Sequence, residues 1–449
     1  MSQLMVSISG VRGIIGQGLT PEVALSFAQA FGAYCNGGKV VIGRDSRVSG
    51  PMIQNVVTAG LLATGCEVVD VGIAPTPTVQ LATENLHAAG GIILTASHNP
   101  VMWNGLKLLA PDGLFLDGEQ GAQVLAIREQ RNFALKTWDG LGVASVYENA
   151  VADHLQKVLS LSFVNLEAIR KRKFKVVADC VHGAGGVIIP QLLEALGCEA
   201  IFLNLKPTGR FPRNPEPTPE NLTQLGEAVR AHRADLGLAV DPDADRLALV
   251  SEKGVPLGEE YTLALAVDFL LRVRKGKVAA NVSTSMVLDD IAAKYGCMVE
   301  RTRVGEINVA KRMREIGAVI GGEGNGGVIL PDVHLGRDAM VGITLILQHL
   351  ANFSGPLSEL HHSLPQYVMC RRKVEVETQA QTAKLLERIK DKYSNEKLDT
   401  LDGVKILQPK SWVQVRASNT EPIIRIMSEA ATMAEAEGLC EELMAFMKT

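Results

Sequence analysis

The stretch KVVIGRDSRVSGPMIQNVVTAGLLATGCEVVDVG (39–72) decides the fold. A β-branched run gives way to a segment with helical spacing of apolar residues, then Gly65, then a second β-like run, CEVVDVG (66–72). Gly65 stands where a helix needs a left-handed stop, so the unit reads strand, helix, strand. The same logic recurs in KFKVVADC (173–180), IIPQLLEALG and CEAIFLN (198–204), with Gly197 as the stop. It returns a third time in KVAANV, MVLDDIAAKYG and CMVERTRVG, with Gly296 in that role. The spacing between copies is too irregular for a solenoid, whose period is short and fixed. From about residue 366 the pattern changes to a strand, a helix, further strands and a C-terminal helix, as in an α+β unit. The expected class is therefore α/β, with three tandem related α/β domains containing mixed sheets and a smaller C-terminal α+β domain. The boundaries fall at 1–148, 149–252, 253–365 and 366–449, where Pro and polar residues interrupt the periodicity.

Composition agrees with a multidomain globular chain. It has 449 residues, 47% hydrophobic and 21% charged, beyond the length at which one core usually keeps growing. Lys plus Arg number 45 against 49 Asp plus Glu, a formal charge of -4, so no basic excess points to nucleic acid or to an anionic membrane. Seven cysteines, with no CxxC pair, argue against a disulfide framework and against a structural zinc site. The start MSQLMVSISG carries no signal-like segment, and the most apolar stretch, TLALAVDFLL (262–271), is short and broken by Asp268. A cytoplasmic location without a membrane partner is expected.

Four loops carry groups suited to chemistry. GGIILTASHNP (90–100) is an apolar strand ending in Ser97, His98, Asn99 and Pro100, at the strand end where open α/β sheets gather ligands. Ser97 is placed as a nucleophile or phosphate carrier, the alternative being a plain ST-turn. No GxSxG surrounds it, so a hydrolase elbow is unsupported. LGLAVDPDADR (236–246) brings Asp241, Asp243 and Asp245 to alternate positions. Their mutual repulsion is relieved by a hard divalent cation, Mg²⁺ being the common choice, or by solvent in a simple acidic turn. An EF-hand is disfavoured, since Arg246 stands where that loop wants Gly. IGGEGNGGVILP (320–331) frames Glu323 and Asn325 with glycines, a sugar-recognition chemistry or a plain hairpin. VRASNTEPIIR (415–425) sets Arg416, Ser418, Asn419, Thr420 and Arg425 around a turn, as a phosphate clamp or as solvated arginines. GVRGIIG (10–16) adds Arg12 in a glycine frame.

In order, VRG, TASHNP, DPDADR, GEGNGG and RASNTEP resemble the α-D-phosphohexomutase superfamily, which interconverts hexose 1-phosphates and 6-phosphates. The resemblance spans the chain and implies a central cleft between the four domains. It implies that Ser97 carries the phosphoryl group and that Asp241, Asp243 and Asp245, with phospho-Ser97, hold Mg²⁺. It places Glu323 and Asn325 on sugar hydroxyls and assigns Arg416, Ser418, Asn419 and Thr420, joined by Arg425, to the phosphate that is not transferred. Arg12, His98, Lys107 and Arg246 match polar residues near the phosphoserine, with Lys107 the candidate proton shuttle. A hexose 1,6-bisphosphate is the implied intermediate and activator, a phosphosugar the substrate, and a monomer or homodimer the assembly. The SISGVRG start and GEGNGG loop resemble phosphoglucosamine mutases, and a phosphomannomutase/phosphoglucomutase of broad specificity is the alternative. Glu306, in VGEINV, is a candidate partner for an amino group at C2. An aspartyl-nucleophile phosphatase, suggested by Asp241-Pro242-Asp243, would leave TASHNP and RASNTEP without a purpose, and a non-catalytic binder would be expected to lack the serine or the carboxylates.

Overall fold

The computed structural model describes residues 4–7, 10–375, 379–417 and 423–448. All three strand–helix–strand units form. Val40–Arg44 and Val68–Ile73 are parallel neighbours joined through the helix Gly50–Ala63. Lys175–Asp179 and Glu199–Leu203 are joined through Gly185–Ala195, and Val278–Asn281 and Val299–Thr302 through Val287–Lys294. Gly65, Gly197 and Gly296 take φ of 84°, 69° and 68°, a conformation that strains any residue with a Cβ. Each helix thus stops at its glycine.

The repeat is longer than the sequence alone suggests. After its second strand each unit adds a helix, namely Thr76–Asn85, Thr223–His232 or Glu306–Ile316. A third strand follows, parallel to the first: Gly90–Leu94, Leu236–Val240 or Ile320–Glu323. A fourth returns antiparallel to the third: Trp103–Leu109, Leu247–Ser251 or Gly327–Leu330. All three mixed sheets therefore share the order fourth, third, first, second. The connection from third to fourth strand leaves the carboxyl end of an inner strand, and in the three units it contains Ser97, the Asp241–Asp245 loop and Asn325.

The first sheet gains the hairpin Leu4–Ser7 and Gly10–Ile14 at one edge and the short strand Ala144–Val146 at the other. The C-terminal unit is an antiparallel sheet of Val368–Glu375, Lys397–Asp399, Val404–Gln408, Ser411–Ala417 and Ile423–Ala430, with the helices Gln379–Lys392 and Met433–Lys448. Lys397–Asp399 and Ala144–Val146 are too short and polar for their pattern to announce them.

One hydrophobic cluster serves both the second and the third sheets. Leu265 and Phe269 of the helix Glu260–Val273 and Ile343 and Leu347 of the helix Ala339–Ala351 share it with Leu238, Leu249, Val278 and Ile320. Asp268, which breaks the apolar run, is buried there but bonded to His349 Nε2 at 2.9 Å, to Tyr295 Oη at 2.9 Å and to Lys294 Nζ at 3.0 Å. The polar stretch 356–367 contains the short helix Leu357–His362, whose Leu357 and Leu360 enter the same core. The first and C-terminal units have clusters of their own. Among the described residues no helix is long and apolar enough to cross a membrane. Phe269→Ala should cost about 3–5 kcal/mol in the shared core. Scanning calorimetry should then show one transition moved down while the C-terminal unit's transition stays; both moving together would mean the cores are not independent.

Candidate active site

Ser97 is 1% exposed and holds a left-handed φ of 50°, a strain of about 1–3 kcal/mol for a residue with a side chain. Its Oγ donates to Asp241 Oδ2 at 3.1 Å and lies 3.3 Å from His98 Nδ1. A residue the motifs did not flag imposes this shape. Arg47, fully buried, donates to the carbonyls of Ser97 (2.6 Å), Asn99 (2.7 Å), Pro100 (2.7 Å) and Trp103 (2.9 Å). Its Nε bonds Asp45 Oδ2 at 2.9 Å, the oxygen that also accepts from Thr95 Oγ1 at 2.7 Å. A planar guanidinium with a full set of donors is what four converging carbonyls require. The acid-x-Arg of GRDSR at a strand end was the available signal.

The aspartate loop faces this serine. Asp241, Asp243 and Asp245 are all 0% exposed, with ligand oxygens within 4.8 Å of one another. Asp243 Oδ2 accepts from Lys107 Nζ and Thr76 Oγ1, both at 2.6 Å, and Asp245 Oδ2 accepts from Arg337 Nη2 at 2.7 Å. The Oδ1 atoms of Asp243 and Asp245 are buried without a hydrogen bond among the described residues. Burial, with Asp243 and Asp245 adding to it, pushes the Asp241 carboxyl well above the usual carboxylate range. Burial acts the same way on Asp243, but Lys107 and Thr76 outweigh it and hold that carboxyl far below. Buried oxygens without partners in a crowded acidic cluster fit a hard divalent cation.

The remaining basic groups close in from neighbouring elements. Arg246 donates its backbone N–H to Asp241 Oδ1 at 3.3 Å and Nη1 to Glu216 Oε1 at 3.0 Å. Burial, then Arg246 and Arg12, push the His98 imidazole well below its usual range, so it is neutral at neutral pH. Gly10 pairs with Lys107 and Arg12 with Gly105 across adjacent strands, which puts Arg12 and Lys107 on one face of the sheet. Arg12 Nη1 reaches Asn99 Oδ1 at 3.4 Å.

Glu323 accepts from Asn281 Nδ2 (2.8 Å), Gly305 N (3.2 Å) and Arg337 Nη1 (2.7 Å). Asn325 touches the same carboxylate at 3.4 Å. Against the effect of burial, Arg337 and Asn281 hold the Glu323 carboxyl below its ordinary value. Glu306 does not stand free for an amino group. Its Oε1 accepts the Arg337 N–H at 3.0 Å, and its Oε2 lies 3.0 Å from Arg337 Nε.

In the C-terminal sheet Arg416 and Arg425 lie directly opposite across paired strands, an arrangement of like charges that costs stability unless an anion sits between them. Burial lowers the Arg416 pKa, Asp402 opposes and Arg425 adds to the lowering. Asp402 Oδ2, 3.8 Å from Arg416 Nη1, also accepts the Val304 N–H at 2.9 Å, beside the Gly305 that contacts Glu323. Ser418, Asn419 and Thr420 lie outside the described residues. Ser97, His98, Lys107, Asp241, Asp243, Asp245 and Arg246 thus form one cluster, Arg12 borders it, Arg337 joins Glu323 and Asn325 to it, and Arg416 approaches Gly305 beside Glu323 through Asp402.

Four matches to one family follow the chain in order. Phosphoglucomutase/phosphomannomutase alpha/beta/alpha domain I covers residues 4–134, domain II 152–254, domain III 258–368 and the C-terminal domain 371–446. A protein of Thermococcus kodakarensis named phosphoglucomutase/phosphomannomutase is 43% identical over 441 residues, 96% of each chain. One of Methanopyrus kandleri named "Probable phosphoglucosamine mutase" is 41% identical over 443 residues, 97% of this chain and 96% of the relative. The crystal structure of a phosphoglucomutase/phosphomannomutase family protein from Burkholderia thailandensis matches with a TM-score of 0.86 at 28% identity, covering 99% of this chain and 98% of the other.

Burial and the neighbouring Asp243 and Asp245 favour the protonated form of Asp241, so a divalent cation competes with protons for this site. Mg²⁺ affinity should therefore rise with pH, with protons released on binding in calorimetry across buffers of different ionisation enthalpy. Asp241→Asn should flatten that dependence and Asp243→Asn should weaken binding at least tenfold; a pH-independent wild type would contradict the assignment.

Proposed function

Since the chain belongs to the phosphoglucomutase/phosphomannomutase family and is a phosphohexomutase, we propose that it moves a phosphoryl group between the 6- and 1-positions of a hexose through Ser97, with glucosamine 6-phosphate preferred. The contact that carries this reading is Ser97 Oγ on Asp241 Oδ2, with His98 beside it. Asp241, Asp243, Asp245 and Ser97 would hold Mg²⁺, which neutralises charge during phosphoryl transfer.

In the first half-reaction the bond between phosphorus and Ser97 Oγ breaks and a bond to the free sugar hydroxyl forms. The hydroxyl proton ends on Ser97 Oγ, relayed by Lys107 and by the neutral His98. The product is a hexose 1,6-bisphosphate, which turns over before Ser97 Oγ takes back the other phosphoryl group and returns the proton. Glu323 and Asn325 hold sugar hydroxyls in both orientations. Arg416 and Arg425, with Ser418, Asn419 and Thr420, hold the phosphate that stays. Arg246 and Arg12 add positive charge beside the reacting group. Bound bisphosphate also restores a dephosphorylated Ser97.

The amino-sugar preference draws on the Methanopyrus relative's name and on the GEGNGG loop. The name of the Thermococcus relative supports the second reading, a mutase of broad specificity for glucose and mannose phosphates. The comparison that separates them is kcat/KM of the Ser97-phosphorylated, Mg²⁺-loaded enzyme on glucosamine, glucose and mannose phosphates. A glucosamine preference above about tenfold, roughly 1.4 kcal/mol in the transition state, is expected. Equal use of glucose and mannose phosphates would establish the broad enzyme instead. Ser97→Ala should abolish both turnover and label incorporation from bisphosphate, and turnover surviving that change would sink the mechanism.

A further inference from the structure

Arg337 ends the strand His334–Arg337 and is buried at the junction of two loops that belong to different sheets. Its three guanidinium nitrogens face three carboxylates. Nη2 bonds Asp245 Oδ2 at 2.7 Å, Nη1 bonds Glu323 Oε2 at 2.7 Å, and Nε lies 3.0 Å from Glu306 Oε2. Its backbone N–H donates to Glu306 Oε1 at 3.0 Å, so Glu306 fixes both ends of the residue. The next residue, Asp338, caps the helix Ala339–Ala351 through Met340 N at 2.8 Å and bonds His154 Nε2 at 2.8 Å. The side chain runs across Gly327, where a Cβ would meet Arg337 Cδ at 2.2 Å.

The two bonded carboxylates have different duties. Asp245 presents Oδ2 to Arg337 and leaves Oδ1 buried without a hydrogen bond, within the acidic triad. Glu323 belongs to the glycine-framed loop and receives Asn325 on the oxygen that Arg337 also holds. One rigid fork therefore sets the direction of a metal-loop carboxylate and of a sugar-loop carboxylate together, and its planarity prevents either bond from adjusting alone.

We propose that Arg337 is a positioning residue that couples the divalent-cation loop to the sugar loop, so that cation and hexose phosphate each tighten the other's binding. A cation that orders Asp245 fixes the fork and with it Glu323. By linkage, a sugar that orders Glu323 must tighten the cation by the same factor. The choice of a hexose phosphate as second ligand rests on the mutase reading; the cation half does not.

The test uses dephosphorylated enzyme, which has no phosphoryl group to transfer, and calorimetric Kd values for Mg²⁺ and glucose 6-phosphate, each with and without the other. Wild type should show reciprocal tightening of about fivefold or more. Arg337→Lys keeps the charge but cannot span three carboxylates, and its factor should fall to within twofold of one. Gly327→Ala, which displaces the fork without removing it, should move the factor the same way and serves if the lysine variant does not fold. Wild-type coupling retained in a folded variant, or no coupling in wild type, overturns the proposal. If neither glucose 6-phosphate nor glucosamine 6-phosphate binds while Mg²⁺ does, the mutase reading has failed and Mg²⁺ affinity alone decides. Severalfold weakening in Arg337→Lys then supports the role of Arg337, and an unchanged Kd overturns it.

Discussion

Three carboxylates with oxygens within 4.8 Å, none of them exposed, set the terms for everything around them. In water their repulsion would be slight; in a buried site it is not. The surrounding structure answers with partners from distant segments: Ser97 and Lys107 from the first sheet, Thr76 from the helix beneath it, Arg337 from the third. Each carboxylate engages a protein donor through one oxygen, and two of them keep the other oxygen in reserve. A site built this way cannot be assembled by one domain. The contact of Asp241 with Ser97 and of Asp245 with Arg337 makes the docking of the first three units a condition of assembling this cluster.

That docking succeeds because the units repeat. In each, the third strand lies inside the sheet and turns back into an antiparallel fourth, so the turn projects from the carboxyl edge. Docking three such sheets, two of them over a common core, brings the three equivalent turns together with different cargo. The C-terminal sheet, built on a different plan, contributes through Asp402 and through Ser283 Oγ, which donates to Gln414 Oε1 at 2.7 Å.

Much of this was legible in the residues. The glycines at 65, 197 and 296 mark helix ends because few other residues take that backbone angle at low cost, and alternate aspartates after an apolar strand mark the loop whose three carboxylates the fold buries together. What escaped depends on partners far along the chain. The acid-x-Arg of GRDSR marks Arg47 as a residue held by Asp45 but does not say that it will gather four carbonyls 50 or more residues away, nor does the sequence around Thr76 suggest Asp243. Glu306 illustrates the converse: its helix-start position was visible, but its partner at 337 was not, so an open carboxylate was expected where an occupied one stands. The fourth strands Trp103–Leu109 and Leu247–Ser251 escaped because burial removes the alternation by which a strand is usually recognised, whereas Gly327–Leu330 was open as one arm of a hairpin.

The contact of Arg337 with the space over Gly327 bears on how this sequence can drift. Even the first carbon of a side chain at 327 would collide with the fork as it lies here. The two positions are therefore not free to change in either order. A side chain gained at 327 before Arg337 is lost forces the fork off its carboxylates, and Arg337 lost first leaves buried charges without a counterion. The path from this loop to one with a side chain at 327 therefore runs through a disfavoured intermediate.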